Sequence, residues 1–111
     1  MNGLLVLEDA YRLALDIYRA MSPTKGRFKT RDQLEGSSTS VFANLSEIEG
    51  PLTPGEKRQR VRISITECYE TIKWLEWFRD TGDLEIDVAN GFIERMVSIR
   101  KRLYKLKDSL N

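Results

Sequence analysis

PGEKRQRVRISITECYETIKWLEWFRD, residues 54–80, is the stretch on which the fold turns. After Gly55 it contains no proline or glycine, and Val61, Ile65, Cys68, Ile72 and Leu75 recur at helical spacing, which predicts one long helix with a buried stripe. At roughly 100° per residue, Ile63, Trp74 and Trp77 fall on the opposite side. A helix packed into a small bundle needs a single apolar stripe. A second one bearing two tryptophans predicts burial against another copy of the chain, so Ile63, Trp74 and Trp77 are the expected oligomer interface.

Punctuation on either side sets the other helices. Thr53-Pro54-Gly55-Glu56 supplies a cap residue, a proline at the first helical position and a glutamate placed to close a capping box. Gly82 is placed to terminate the helix in the left-handed conformation, and Asp83 to cap a fourth helix running to about residue 109. That helix has a predicted core stripe of Ile86, Ala89, Ile93, Met96, Leu103, Leu106 and Leu110, and Gly91 in its interior suggests a bulky neighbour packed close.

Upstream, residues 4–21 carry two adjacent stripes: Leu4, Leu7, Tyr11, Ala14, Tyr18 and Met21, then Val6, Ala10, Leu13 and Ile17. Ser22-Pro23 ends this first helix, and a basic connector of Lys25, Arg27, Lys29 and Arg31 follows. Thr30 and Gln33 have capping-box spacing, so the second helix is expected from about residue 31 to about 49, with Leu34, Ser38, Val41, Leu45 and Ile48 inward. Residues 36–40, GSSTS, have poor helix propensity. The apolar period nevertheless runs through them, and small side chains let two helices approach closely. The expected architecture is all-α, an antiparallel up-down-up-down four-helix bundle forming a single domain over residues 1–111. The alternative is a helical hairpin pair that completes its core by swapping.

Composition narrows the chemistry. No histidine is present among the 111 residues, which removes both the commonest general base and the commonest metal ligand. Cys68 is the one cysteine and lies on the core stripe, so no internal disulfide or thiolate metal site is available. Neither a phosphate-cradling glycine loop nor a catalytic carboxylate or serine arrangement stands out. A non-enzymatic protein with no catalytic residues, no metal, no cofactor and no small-molecule substrate is expected. The longest apolar run, LLVL at residues 4–7, is far too short to cross a bilayer, and a cytoplasmic protein with no membrane partner is expected.

Net charge is only +1, yet charge is segregated along the hairpin of the last two helices. Lys57, Arg58, Arg60 and Arg62 begin the third helix, and Arg100, Lys101, Arg102, Lys105 and Lys107 end the fourth. A hairpin turning at Gly82 puts residue 60 level with about residue 104, so both clusters converge, with Glu76, Asp80, Asp83, Glu85 and Asp87 at the other end. On the third helix this order opposes the helix dipole, with bases at the positive pole. Two accounts follow: neutralisation by Glu8, Asp9, Glu47 and Glu49, or an anionic partner such as RNA or DNA backbone. The nine cations are the candidate nucleic-acid-binding residues. Without a base-reading motif they would contact phosphates, and copies ringed together would add those contacts up. A protein-interaction scaffold with no nucleic-acid binding is the alternative.

Two segments carry a resemblance. Ser38-Thr39-Ser40-Val41-Phe42-Ala43-Asn44 with Glu47, and ECYETIKWLEWFRDTGDL over residues 67–84, are similar to motifs of the bacterial four-helix-bundle family encoded by intervening sequences in 23S rRNA genes, once labelled S23 ribosomal proteins. The accessory proteins of diversity-generating retroelements are more distantly similar. The chain departs from the family pattern at Glu35-Gly36 and at Phe42. The resemblance implies a four-helix bundle assembled as a ring-like homo-oligomer, usually a pentamer, with nucleic acid as partner.

Overall fold

A computed structural model describes residues 2–23 and 26–110, giving the backbone alone for residues 2–4; Lys25 and the Leu4 side chain lie outside the described residues. Four helices, α1 (Asn2–Met21), α2 (Phe28–Ser46), α3 (Pro54–Thr81) and α4 (Ile86–Ser109), follow in order, with one 3-10 turn, Glu47–Glu49, after α2. Each helix packs against two others, with α1 diagonal to α3, and no strand occurs among the described residues. This is the expected all-α bundle. Its long axis measures 43 Å, close to the ~42 Å that 28 helical residues span, so α3 runs the full length.

α3 begins as its sequence dictates. Thr53 Oγ1 accepts the Glu56 N–H at 3.1 Å and Glu56 Oε1 accepts the Thr53 N–H at 3.2 Å. Hydrogen bonding to its carboxyl from Thr53, from the backbone foremost and then from the side chain, holds Glu56 below the usual carboxylate range. At the other end Gly82 adopts φ 86°. Buried Leu84 then turns back into the core and donates its N–H to the Phe78 carbonyl at 3.0 Å.

The core draws on all four helices: Val6, Ala10, Leu13, Ile17 and Met21 of α1; Leu34, Val41 and Leu45 of α2; Val61, Ile65, Cys68, Leu75 and Phe78 of α3; Ala89, Phe92, Met96, Ile99 and Leu103 of α4. Of the two stripes on α1, the bundle covers the Val6–Ile17 one and leaves Tyr11 and Tyr18 exposed; Tyr11 meets Phe42 edge-on at 5.3 Å between ring centroids. On α4 the buried line passes through Phe92, Met96, Ile99 and Leu103, a spacing that faces α1 and α3 together, and Ile86 is left in solvent.

Residues 36–40 are helical, as the apolar period predicts. Their hydroxyls are turned back on the preceding turn: Ser37 Oγ donates to the Leu34 carbonyl at 3.2 Å, Ser38 Oγ to Glu35 at 3.2 Å and Thr39 Oγ1 to Glu35 at 2.7 Å. Ser37 and Ser38 are both buried, Ser37 against Thr71 of α3, and Ser64 Oγ of α3 donates to the Val41 carbonyl at 3.0 Å.

Three local expectations are corrected. α2 starts at Phe28, not near residue 31, so Thr30 already lies in its first turn and donates to the Arg27 carbonyl instead of forming a capping box with Gln33. Arg27 is the N-cap, in the left-handed region at φ 56°, with no side-chain cap bond. Glu85, not Asp83, caps α4: its carboxylate accepts from the Asp87 and Val88 N–H groups, and Asp83 instead pairs with Arg27 at 3.2 Å. At Gly91 a Cβ would meet nothing within 4 Å, so no bulky neighbour explains that glycine.

Candidate nucleic-acid interface

The start of α3 and the end of α4 come together at one end of the bundle. Arg58 Nη1 donates to the Leu110 carbonyl at 2.7 Å, and at the opposite end Arg79 Nη1 donates to Asn90 Oδ1 at 3.0 Å. Both contacts centre on Leu84, not on Gly82, because the turn continues to the Glu85 cap. α4 is therefore shifted along α3 by more than one turn from the level expected for residues 60 and 104.

Within the basic end the cations have different partners. Arg60 pairs with Glu47 at 2.7 Å and reaches Asn44 Oδ1 at 3.4 Å; Arg102 pairs with Asp9 at 2.6 Å. The neutralisation account thus holds for Glu47 and Asp9, whereas Glu8 pairs with Arg12 on its own helix. The Arg100 guanidinium lies 4.5 Å over the Tyr69 ring and the Lys107 ammonium 5.3 Å over Tyr104. The side chains of Lys57, Arg62, Lys101 and Lys105 make no ion pair or hydrogen bond among the described residues, and all but Lys57 are well exposed. An open depression of about 600 Å³ is lined by Gly55, Arg58, Gln59, Arg62, Lys107 and Asp108.

Tyr69 and Tyr104 were not singled out by the sequence reading. Their hydroxyls lie 3.3 Å apart, and the hydrogen bond with Tyr69 pushes the Tyr104 phenol above its ordinary range. The shifted register accounts for part of this: a turn at Gly82 would set Tyr69 opposite about residue 95, the turn centred on Leu84 sets it opposite about residue 99, and the two long side chains close the rest.

The expected interface residues lie on a different side. Ile63 and Trp74 are half-buried, with Trp74 packed against the core, and Trp77 is 49% exposed. Lys73, Trp74, Glu76, Trp77 and Asp80 line a shallow depression of about 360 Å³ nearer the acidic end. Glu67 sits on the same flank, its carboxyl pushed up first by partial burial and then by Glu70. Burial also raises the Cys68 thiol to about 12, which leaves no thiolate for nucleophilic work. Among the described residues no cluster of carboxylates and cysteine is placed to hold a metal, and no helix is long and apolar enough to cross a membrane.

Fold and surface together define a helical-bundle protein with a basic end. The model of the 23S rRNA-intervening sequence protein family matches residues 2–105, and the chain belongs to that family. A crystal structure from Bacteroides thetaiotaomicron, described as a protein with unknown function from the S23 ribosomal protein family, superposes with a TM-score of 0.89. The match covers 98% of this chain and 100% of that one at 21% identity, a likeness of fold. A comparison with curated proteins gives no match.

Proposed function

We propose that the protein is a non-enzymatic, cytoplasmic, ring-like homo-oligomer that binds RNA or DNA through its phosphates, with five subunits the number suggested by the family resemblance. Support comes foremost from Lys57, Arg62, Lys101 and Lys105, cations spread from the basic end to the middle of the bundle along the α3–α4 hairpin, their side chains without an ion pair among the described residues. Like charges held together at the positive pole of α3 oppose local electrostatics, and a polyanion relieves that opposition. Copies joined through Ile63, Trp74 and Trp77 multiply the phosphate contacts.

Salt titration tests this reading. Four phosphate contacts per engaged subunit give a slope of roughly −3 in log affinity against log salt for single strands. Reversing Lys57, Arg62, Lys101 and Lys105 to glutamate should abolish retention of arbitrary oligonucleotides while leaving assembly intact. Absence of binding at low salt removes the proposal and leaves a protein-interaction scaffold, which half-exposed Trp77 beside its depression favours.

A further inference from the structure

We infer that Tyr69 and Tyr104 form a stacking platform for unpaired bases, so that the ligand of the basic end is single-stranded nucleic acid. This rests on the phosphate-binding reading and adds to it the part of the ligand that is not phosphate.

The two phenols come from different helices, 35 residues apart in sequence, and stand side by side with their hydroxyls 3.3 Å apart. Tyr69 is 50% and Tyr104 40% exposed, so two aromatic side chains remain open to solvent at one point of a polar surface. Neither is loose. The shared hydrogen bond joins them tip to tip, Arg100 lies over the Tyr69 ring, and Lys107 lies over the Tyr104 ring. Side chains already held in one arrangement lose little rotamer freedom when a ligand arrives. Cations flank the pair along the same edge: Arg62 is two turns before Tyr69 on α3, and Lys101 is one turn before Tyr104 on α4. Aromatic faces set among cations suit a strand whose bases and phosphates alternate. In a duplex the base faces are covered by their neighbours, and such a strand can meet only the cations.

Binding of fluorescent oligouridine, oligothymidine and a mixed-sequence DNA duplex to the intact protein at fixed salt tests the inference. Tyr69→Leu with Tyr104→Leu should weaken both single strands by about tenfold or more, leave duplex affinity unchanged, and leave the salt slope unchanged because no charge is removed. Tyr69→Phe with Tyr104→Phe should keep single-strand affinity within about threefold, since the stacking faces survive. Comparing oligouridine with oligothymidine separates an RNA from a DNA source for the same stacking chemistry. Should the leucine pair bind single strands as well as the unaltered protein does, while the glutamate reversal abolishes binding, the platform is overturned and the phosphate surface stands. Loss of thermal stability in the leucine pair without loss of affinity would likewise make the tyrosines a structural contact and overturn it. If the unaltered protein binds none of the three probes at low salt, both readings fall.

Discussion

Thr71 and Ser37 join α3 to α2 through their hydroxyls inside the core: Thr71 Oγ1 donates to Ser37 Oγ at 2.9 Å, and Ser37 Oγ donates in turn to the Leu34 carbonyl at 3.2 Å. Both residues are buried, and among the described residues no buried side-chain polar atom lacks a partner. Small side chains set the helix separation here, and the hydroxyls satisfy one another within it. Thr71→Val, which removes one donor, should cost about 1 kcal/mol. Ser37→Leu forces a branched side chain into the same gap and should cost about 2 kcal/mol by overpacking. Denaturant midpoints of the two variants decide the order, and a leucine at position 37 that stabilises would mean the helices are not held this close.

Trp74→Ala combined with Trp77→Ala should lower the mass of the particle in light scattering while circular dichroism stays helical. Trp74 also packs against its own core, so its loss costs the subunit stability as well. Trp77→Glu, at a half-exposed position, isolates the contact between copies. An unchanged mass for that variant rules out this face as the interface.

Cys68 should be unreactive in the folded protein. With its thiol raised to about 12 by burial, against a smaller opposing effect of Arg100, almost none is thiolate at pH 8. Labelling by a disulfide reagent should proceed at the rate of global opening and become immediate in denaturant. Rapid modification of the native protein would show that the centre of α3 is open.

Gly91→Ala should stabilise the protein by about 0.5–1 kcal/mol, because the position is helical and a methyl group there meets no neighbour within 4 Å. Gly82→Ala should do the reverse and cost about 1 kcal/mol, since Gly82 holds the left-handed turn between α3 and α4. Thermal midpoints separate the two glycines, and a loss at Gly91 would point to a close approach by another copy.

Much of the bundle was legible because its strongest signals are local. The Thr53–Glu56 box, Gly82 and the Val61–Leu75 period each specify α3 without reference to the rest of the chain. Residues 36–40 were legible only through the apolar period, since propensity alone would have made them a loop. Misreadings arose where two local choices compete. Asp83 and Glu85 are both plausible caps, and only the burial of Leu84 between them settles which carboxylate reaches the α4 amides. The same ambiguity moved the α3–α4 register, so the two basic clusters were correctly brought to one end while the Tyr69–Tyr104 pair within them went unseen. Which cations are engaged was not readable either, because Arg60–Glu47 and Arg102–Asp9 join residues distant in sequence.

The tight return at Leu84 also orders events in time. A buried leucine tied back to Phe78 across so short a connection brings α3 and α4 together at little loop-closure entropy, whereas α1, though next to α2 in sequence, meets α4 only by closing the length of the chain. Truncating Phe78 or Leu84 should therefore slow refolding, and truncating Leu13 in α1 should chiefly hasten unfolding, as a chevron analysis of the three alanine variants would register.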